Sequence, residues 1–125
     1  MFFSGYRSIS LPTTSWANDA NEKMTNSMIL ELATIDIKPG TNAEFEKKLE
    51  QAQSVISRAE GYLGHQFQRC IEQDNRYILL IRWETLEAHT VGFRQSELFR
   101  EWRGLIGEFF ENPPVVQHFE PAFEG

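Results

Sequence analysis

The chain has one cysteine, Cys70, and therefore no internal disulfide. A lone cysteine of this kind suits a reducing compartment, where within a strand it serves as a small core residue. Basic residues are scarce: the lysines are Lys23, Lys38, Lys47 and Lys48, the net charge is −6, and no basic stripe forms. That excludes nucleic acid as the expected partner. No segment approaches the roughly 18 consecutive apolar residues of a membrane span. The start, Met1-Phe2-Phe3-Ser4-Gly5, lacks the basic opening and apolar run of a secretory signal. The expectation is a soluble, cytoplasmic protein without a membrane partner.

Familiar chemical motifs are missing as well. There is no HExxH, CxxC, Walker or dinucleotide glycine fingerprint. No serine sits in a Gly-x-Ser-x-Gly setting. His65, His89 and His118 fall on three separate elements without ligand spacing, so no metal is expected. Any chemistry must proceed with no cofactor of the flavin, nicotinamide or metal kind.

What is present describes one domain with a real core: 125 residues, 41% hydrophobic and 13% aromatic. Residues 1–27 stand apart. Ser, Thr, Asn, Asp and Pro dominate there, so the stretch reads as a flexible extension or as an arm docking through Phe2, Phe3, Tyr6 and Trp16. The domain proper is placed at residues 28–125.

Within it, Ile29 to Ile37 reads as a strand stopped by Lys38-Pro39-Gly40. Thr41 and Glu44 have capping-box spacing, and Phe45, Leu49, Ala52 and Ile56 then recur at helical intervals. Gly61 is placed to close that helix in the left-handed conformation. Tyr62 to Ile71 predicts a second strand, Gln73-Asp74-Asn75 a hairpin turn, and Tyr77 to Trp83 a third strand. Thr85 can cap a helical region carrying His89, broken near Gly92 and restarted at Ser96. Leu98, Trp102, Leu105 and Phe109 form its apolar stripe, Asn112-Pro113-Pro114 ends it, and Val115 to Glu120 makes a last strand.

Strand, helix, strand, strand, helix, strand is the ferredoxin-like α+β order, a four-stranded antiparallel sheet with both helices on one face. The third strand is apolar on both sides: Leu79 and Ile81 point one way, Ile78 and Leu80 the other. Two helices cover only one face. The other is expected to be covered by a second copy, giving a homodimer with two sheets face to face.

Trp83-Glu84-Thr85-Leu86-Glu87-Ala88-His89, Phe93-Arg94-Gln95-Ser96 and the closing Pro114-Val115-Val116-Gln117-His118-Phe119-Glu120, in this element order, resemble the antibiotic biosynthesis monooxygenase family. The resemblance covers about Ile29 to Pro121 and implies a dimeric α/β barrel. Family members include cofactor-free quinone-forming monooxygenases, haem-degrading enzymes and an isomerase. Relative to the quinone-forming branch, the resemblance puts the strand-end tryptophan at Trp83, the pocket tyrosine at His89 and a last-helix arginine at Arg100. The pocket asparagine falls at Leu79. Relative to the haem-degrading branch, the strand asparagine falls near Ala33 or Thr34 and the iron-ligating histidine near Arg103, which disfavours haem degradation.

The implied reaction is oxidation of a small aromatic hydroquinone or phenol. A deprotonated phenol can pass an electron to oxygen if the protein supplies a dry pocket, a base and a partner for the anion. His89 is the expected base, Trp83 an aromatic wall, and Arg100 or Arg94 the anion's partner. His65, Phe67, Phe93, Arg94 and Trp102 are the expected substrate-binding residues. Plainer roles stand beside these: Trp83 and Trp102 as core, His65 as an exposed strand residue, His118 as a strand residue near the dimer seam. The alternative function is a small-molecule binding or stress-response module without turnover, or an isomerase or decarboxylase using the same base.

Overall fold

A computed structural model describes residues 28–125, so the extension expected at residues 1–27 lies outside the described residues. The elements are β1 (Ile29–Asp36), α1 (Asn42–Ile56), β2 (Tyr62–Arg69), β3 (Arg76–Trp83), a π-helical turn (Ala88–Phe93), α2 (Glu97–Ile106), a short 3₁₀ turn (Gly107–Phe109) and β4 (Val115–Phe119). The four strands form one antiparallel sheet in the order β2-β3-β1-β4. This is the expected ferredoxin-like architecture.

Side chains alternate across the sheet, and burial alternates with them. Ala33 and Ile35 of β1 and Tyr77, Leu79, Ile81 and Trp83 of β3 point toward the helices and are buried. Phe45, Leu49, Ala52, Val55 and Ile56 of α1, with Trp102 and Ile106 of α2, complete that core. Each fully buried Val, Leu, Ile or Phe among them stabilises the fold by about 1.5–3 kcal/mol. On the opposite face Leu30, Leu32, Ile78 and Leu80 are half-buried, while Val115 and Phe119 are exposed.

Two local expectations change. Thr41 precedes α1 but does not cap it, because its hydroxyl donates to the Lys38 carbonyl at 2.7 Å. The β2 strand ends at Arg69, so Cys70 is a half-buried residue of the hairpin loop and not a strand core residue. Gly61 has the expected left-handed backbone, φ +86°, but it does not close α1, which ends at Ile56 with Ser57 as a right-handed C-cap; Gly61 instead makes the turn into β2. A Cβ there would lie 2.6 Å from the Ala88 Cβ, so glycine also lets this turn approach the π-helical segment. No helix of the described residues is long and apolar enough to cross a membrane.

Candidate functional site

The β3 strand delivers Trp83 to its C-terminal end, and the chain then turns over the sheet. Thr85 Oγ accepts a hydrogen bond from the Ala88 amide at 3.0 Å, as a capping residue should. The segment after this cap is π-helical, not α-helical: the Arg94 amide donates to the His89 carbonyl at 3.1 Å. The wider turn points both His89 and Phe93 into the core. Such insertions recur where a helix must re-aim a side chain.

His89 is 3% exposed and lies nearly parallel to the Trp83 indole, with ring centres 5.2 Å apart. Its Nδ1 is 2.8 Å from Nε2 of His118 on β4, and its Nε2 is 3.4 Å from a carboxylate oxygen of Glu31 on β1. That same oxygen accepts from the Trp83 indole N–H at 2.9 Å. Glu31 is 6% exposed. Four side chains from β1, β3, the π-helical turn and β4 thus form one polar chain inside an apolar layer: Trp83, Glu31, His89, His118.

Burial controls the charge of this chain. Loss of water raises the Glu31 carboxyl from the usual 4.5 to about 7, against the lowering effects of the Trp83 hydrogen bond and the Arg94 charge. Burial, then His118 and Arg94, lowers His89 from 6.5 to about 4. Between those values the contact at 3.4 Å joins a protonated carboxyl to a neutral imidazole and is not an ion pair. His118 is also lowered, first by burial and then by Arg94.

Glu31 and His89 border a cavity of about 140 Å³ between sheet and helices. Leu79, Ile81, Phe93, Phe99 and Trp102 give it apolar walls, and Arg94 and Arg103 bring the cations. Both guanidinium groups lie against aromatic rings, Arg94 over Phe99 and Arg103 over Phe99 and Phe110. The arrangement combines a group that can take a proton, a group that can hold one, and positive charge beside a largely apolar-walled cavity.

The family model for antibiotic biosynthesis monooxygenases matches residues 28–105. The chain belongs to that family. It is 43% identical over 93 residues to the uncharacterised protein YczJ of Bacillus subtilis, covering 74% of this chain and 98% of YczJ. A candidate antibiotic biosynthesis monooxygenase from Bordetella bronchiseptica, known as a crystal structure, is 44% identical with a TM-score of 0.76. The alignment covers 78% of this chain and all of that one. A mycobilin-producing heme oxygenase of Mycobacterium tuberculosis is 27% identical over 60 residues, 48% of this chain and 57% of that protein. SnoaB, a cofactor-independent oxygenase of Streptomyces nogalater, shares the fold at 17% identity and a TM-score of 0.65, over 78% and 96% of the two chains.

For this family member, the residues singled out by sequence divide into three groups. His89, Phe93, Arg94 and Trp102 border the chamber, whereas Trp83, expected as its aromatic wall, is fully buried behind His89 and Phe93 and does not line it. His65 and Phe67 stack on each other at 4.5 Å and border a separate, open groove beside α1, where His65 bonds to Tyr62 and Gln53. Arg100 is not brought to the chamber: it is exposed and pairs with Glu97 one turn away. Arg94 and Arg103, also exposed, are the arginines that border the chamber. Sequence reasoning missed Glu31 altogether. It also left His118 as an ordinary strand residue near the seam, whereas the β1–β4 register sets His118 opposite Glu31 on the helix-facing side. Among the described residues, no set of three or more His, Cys, Asp or Glu side chains is arranged to hold a metal ion.

Proposed function

We propose that this protein is a cofactor-independent, monooxygenase-like oxidoreductase acting on a small aromatic hydroquinone or phenol held in the chamber beside His89. The observation that carries the reading is a buried imidazole, neutral at physiological pH, bordering an apolar cavity with a cation on its rim. A neutral imidazole is the form that a base requires. While Glu31 keeps its proton, the Nε2 lone pair meets only a loose contact, the 3.4 Å approach of that carboxyl, so a substrate hydroxyl can displace or bridge it. The hydroxyl proton passes to Nε2, and Arg94 faces the anion that remains. The phenolate passes an electron to dioxygen, the radical pair joins as a peroxide anion at a ring carbon that carries hydrogen, and His89 Nε2–H returns its proton to make the hydroperoxide. Loss of that C–H hydrogen with the distal hydroxyl, as water, leaves the quinone. The Trp83 indole holds the imidazole plane by stacking and fixes Glu31 through its N–H.

A homodimer belongs to this proposal. Leu30, Leu32, Ile78, Leu80, Val115 and Phe119 give the sheet face away from the helices an apolar patch, edged by Gln66, Gln68 and Gln117, and a second copy related by a twofold axis would cover it. Haem degradation has less support. The Mycobacterium relative favours it, but a 140 Å³ chamber is far smaller than a tetrapyrrole.

Oxygen uptake with a panel of hydroquinones and phenols, for wild type and His89→Ala, tests the reading. Turnover that collapses at least a hundredfold in the variant supports it. Equal turnover in both removes His89 as the base, and saturable ligand binding without oxygen uptake favours a binding module instead.

A further inference from the structure

His118 is not needed to explain a base in the chamber. It lies on β4, an edge strand of the sheet, half-buried, and borders no part of the chamber. Yet its Nε2 sits 2.8 Å from Nδ1 of a histidine that is almost wholly enclosed. Two neutral imidazoles at that distance must share one proton between them, with one ring donating and the other accepting. The choice is dictated from the far side of His89. If Glu31 is protonated, its O–H faces His89 Nε2, which must be the bare nitrogen, so Nδ1–H donates to His118. If Glu31 is ionised, Nε2–H faces the carboxylate, Nδ1 is bare, and His118 donates.

From this geometry we infer that Glu31, His89 and His118 form a proton relay connecting the buried chamber to solvent at the β4 edge. In one outward passage the Glu31 O–H bond breaks as His89 Nε2–H forms. The His89 Nδ1–H bond breaks as His118 Nε2–H forms, and His118, now carrying both ring protons, releases Nδ1–H to water. The net change is one proton moved from the carboxyl to solvent, with no electron transferred. The 3.4 Å step at Glu31 is longer than a working hydrogen bond, so the carboxyl must close in by a few tenths of an ångström before transfer. The groups around the relay are fixed: the Trp83 N–H from β3 holds the carboxylate oxygen, and Arg94 after the π-helical turn and Arg103 on α2 border the same cavity. Arg94 favours the ionised carboxylate and opposes charge on either imidazole, so the charged form of His118 is brief.

The relay deepens the functional reading above and rests on it for its use, since exchange with water lets a buried base recover its neutral form between turnovers. Its existence is tested without substrate. Ring nitrogen resonances of His89 should report a change from the Nδ1–H to the Nε2–H tautomer between about pH 5 and about pH 9. Glu31→Gln should abolish that change. His118→Gln keeps a hydrogen-bonding partner but cannot pass a proton through, and it should slow exchange of the His89 ring proton with water at least tenfold. A single His89 tautomer across the range in wild type, or exchange as fast in His118→Gln as in wild type, overturns the inference. The tautomer and exchange comparisons between wild type and His118→Gln suffice if Glu31→Gln does not fold. A working relay in a protein that oxidises no hydroquinone would leave the relay standing and the functional reading fallen. Turnover with a fixed tautomer would do the reverse.

Discussion

Replacing Glu31 with Gln should alter stability in a way that depends on pH, with a size set by the burial of the site. Glu31 holds its proton up to about 7 in the folded chain, and an unfolded carboxyl gives it up near 4.5. Below 4.5 both states are protonated and the group costs nothing. As pH rises through this window the folded state must either keep a proton that the unfolded chain has lost or bury a charge, so stability falls. The full cost is about 3 kcal/mol and is reached above pH 7. His89 has the opposite sign. Its folded value of about 4 lies below the usual 6.5, so its contribution is present above 6.5 and is lost as pH falls toward 4, again by about 3 kcal/mol. The two slopes nearly cancel between pH 4.5 and 6.5, and the pair adds little net pH dependence to the wild type. Glu31→Gln keeps the size of the side chain and removes one slope. Urea denaturation at a series of pH values should show the variant gaining about 3 kcal/mol on the wild type between about pH 4.5 and pH 7.5. A stability difference that stays constant to within about 0.5 kcal/mol across that range would refute the argument that burial holds this carboxyl protonated.

Three further outcomes are expected from contacts around the site. Gly61→Ala forces a β-carbon to 2.6 Å from Ala88 at a left-handed backbone angle; thermal unfolding should show a loss of about 1–3 kcal/mol, and an unchanged midpoint would contradict the close approach. Arg94→Gln should raise the dissociation constant for phenolate-type ligands at least fivefold by calorimetry, whereas Arg100→Gln, altering an exposed pair with Glu97, should leave it unchanged. Leu32→Asp with Leu80→Asp places charge on the uncovered sheet face, and sedimentation at micromolar concentration should show a dimer becoming a 14.5 kDa monomer. A wild type that sediments only as monomer removes the dimer.

Much of the fold was legible because β3 is apolar at nearly every position and β1 at most of them, while Pro39, Gly40 and the Asn112-Pro113-Pro114 run mark where elements must stop. Local rules failed where a side chain found a nearer partner. Thr41 had the spacing for a capping box, but its hydroxyl turned to Lys38. The π-helical turn was half visible: Gly92 signalled a break, yet nothing in the spacing shows an extra residue per turn. Trp83 and His89 could be paired from sequence because only a short turn separates them. Glu31 could not be read the same way. Its position alternates with Ala33 and Ile35, which places it inward, but a strand apolar on both sides offers no polar face against which one carboxylate would stand out. His118 is 29 residues from His89, and only the β1–β4 register brings the two together.

Crystallography of the protein with a simple hydroquinone bound tests most directly whether the chamber beside His89 is a reaction site. The account predicts the ring among Phe93, Phe99 and Trp102, with one hydroxyl oxygen within about 3 Å of His89 Nε2 or the Glu31 carboxyl. A ligand seated in the open groove beside His65, with the chamber unchanged, would contradict it.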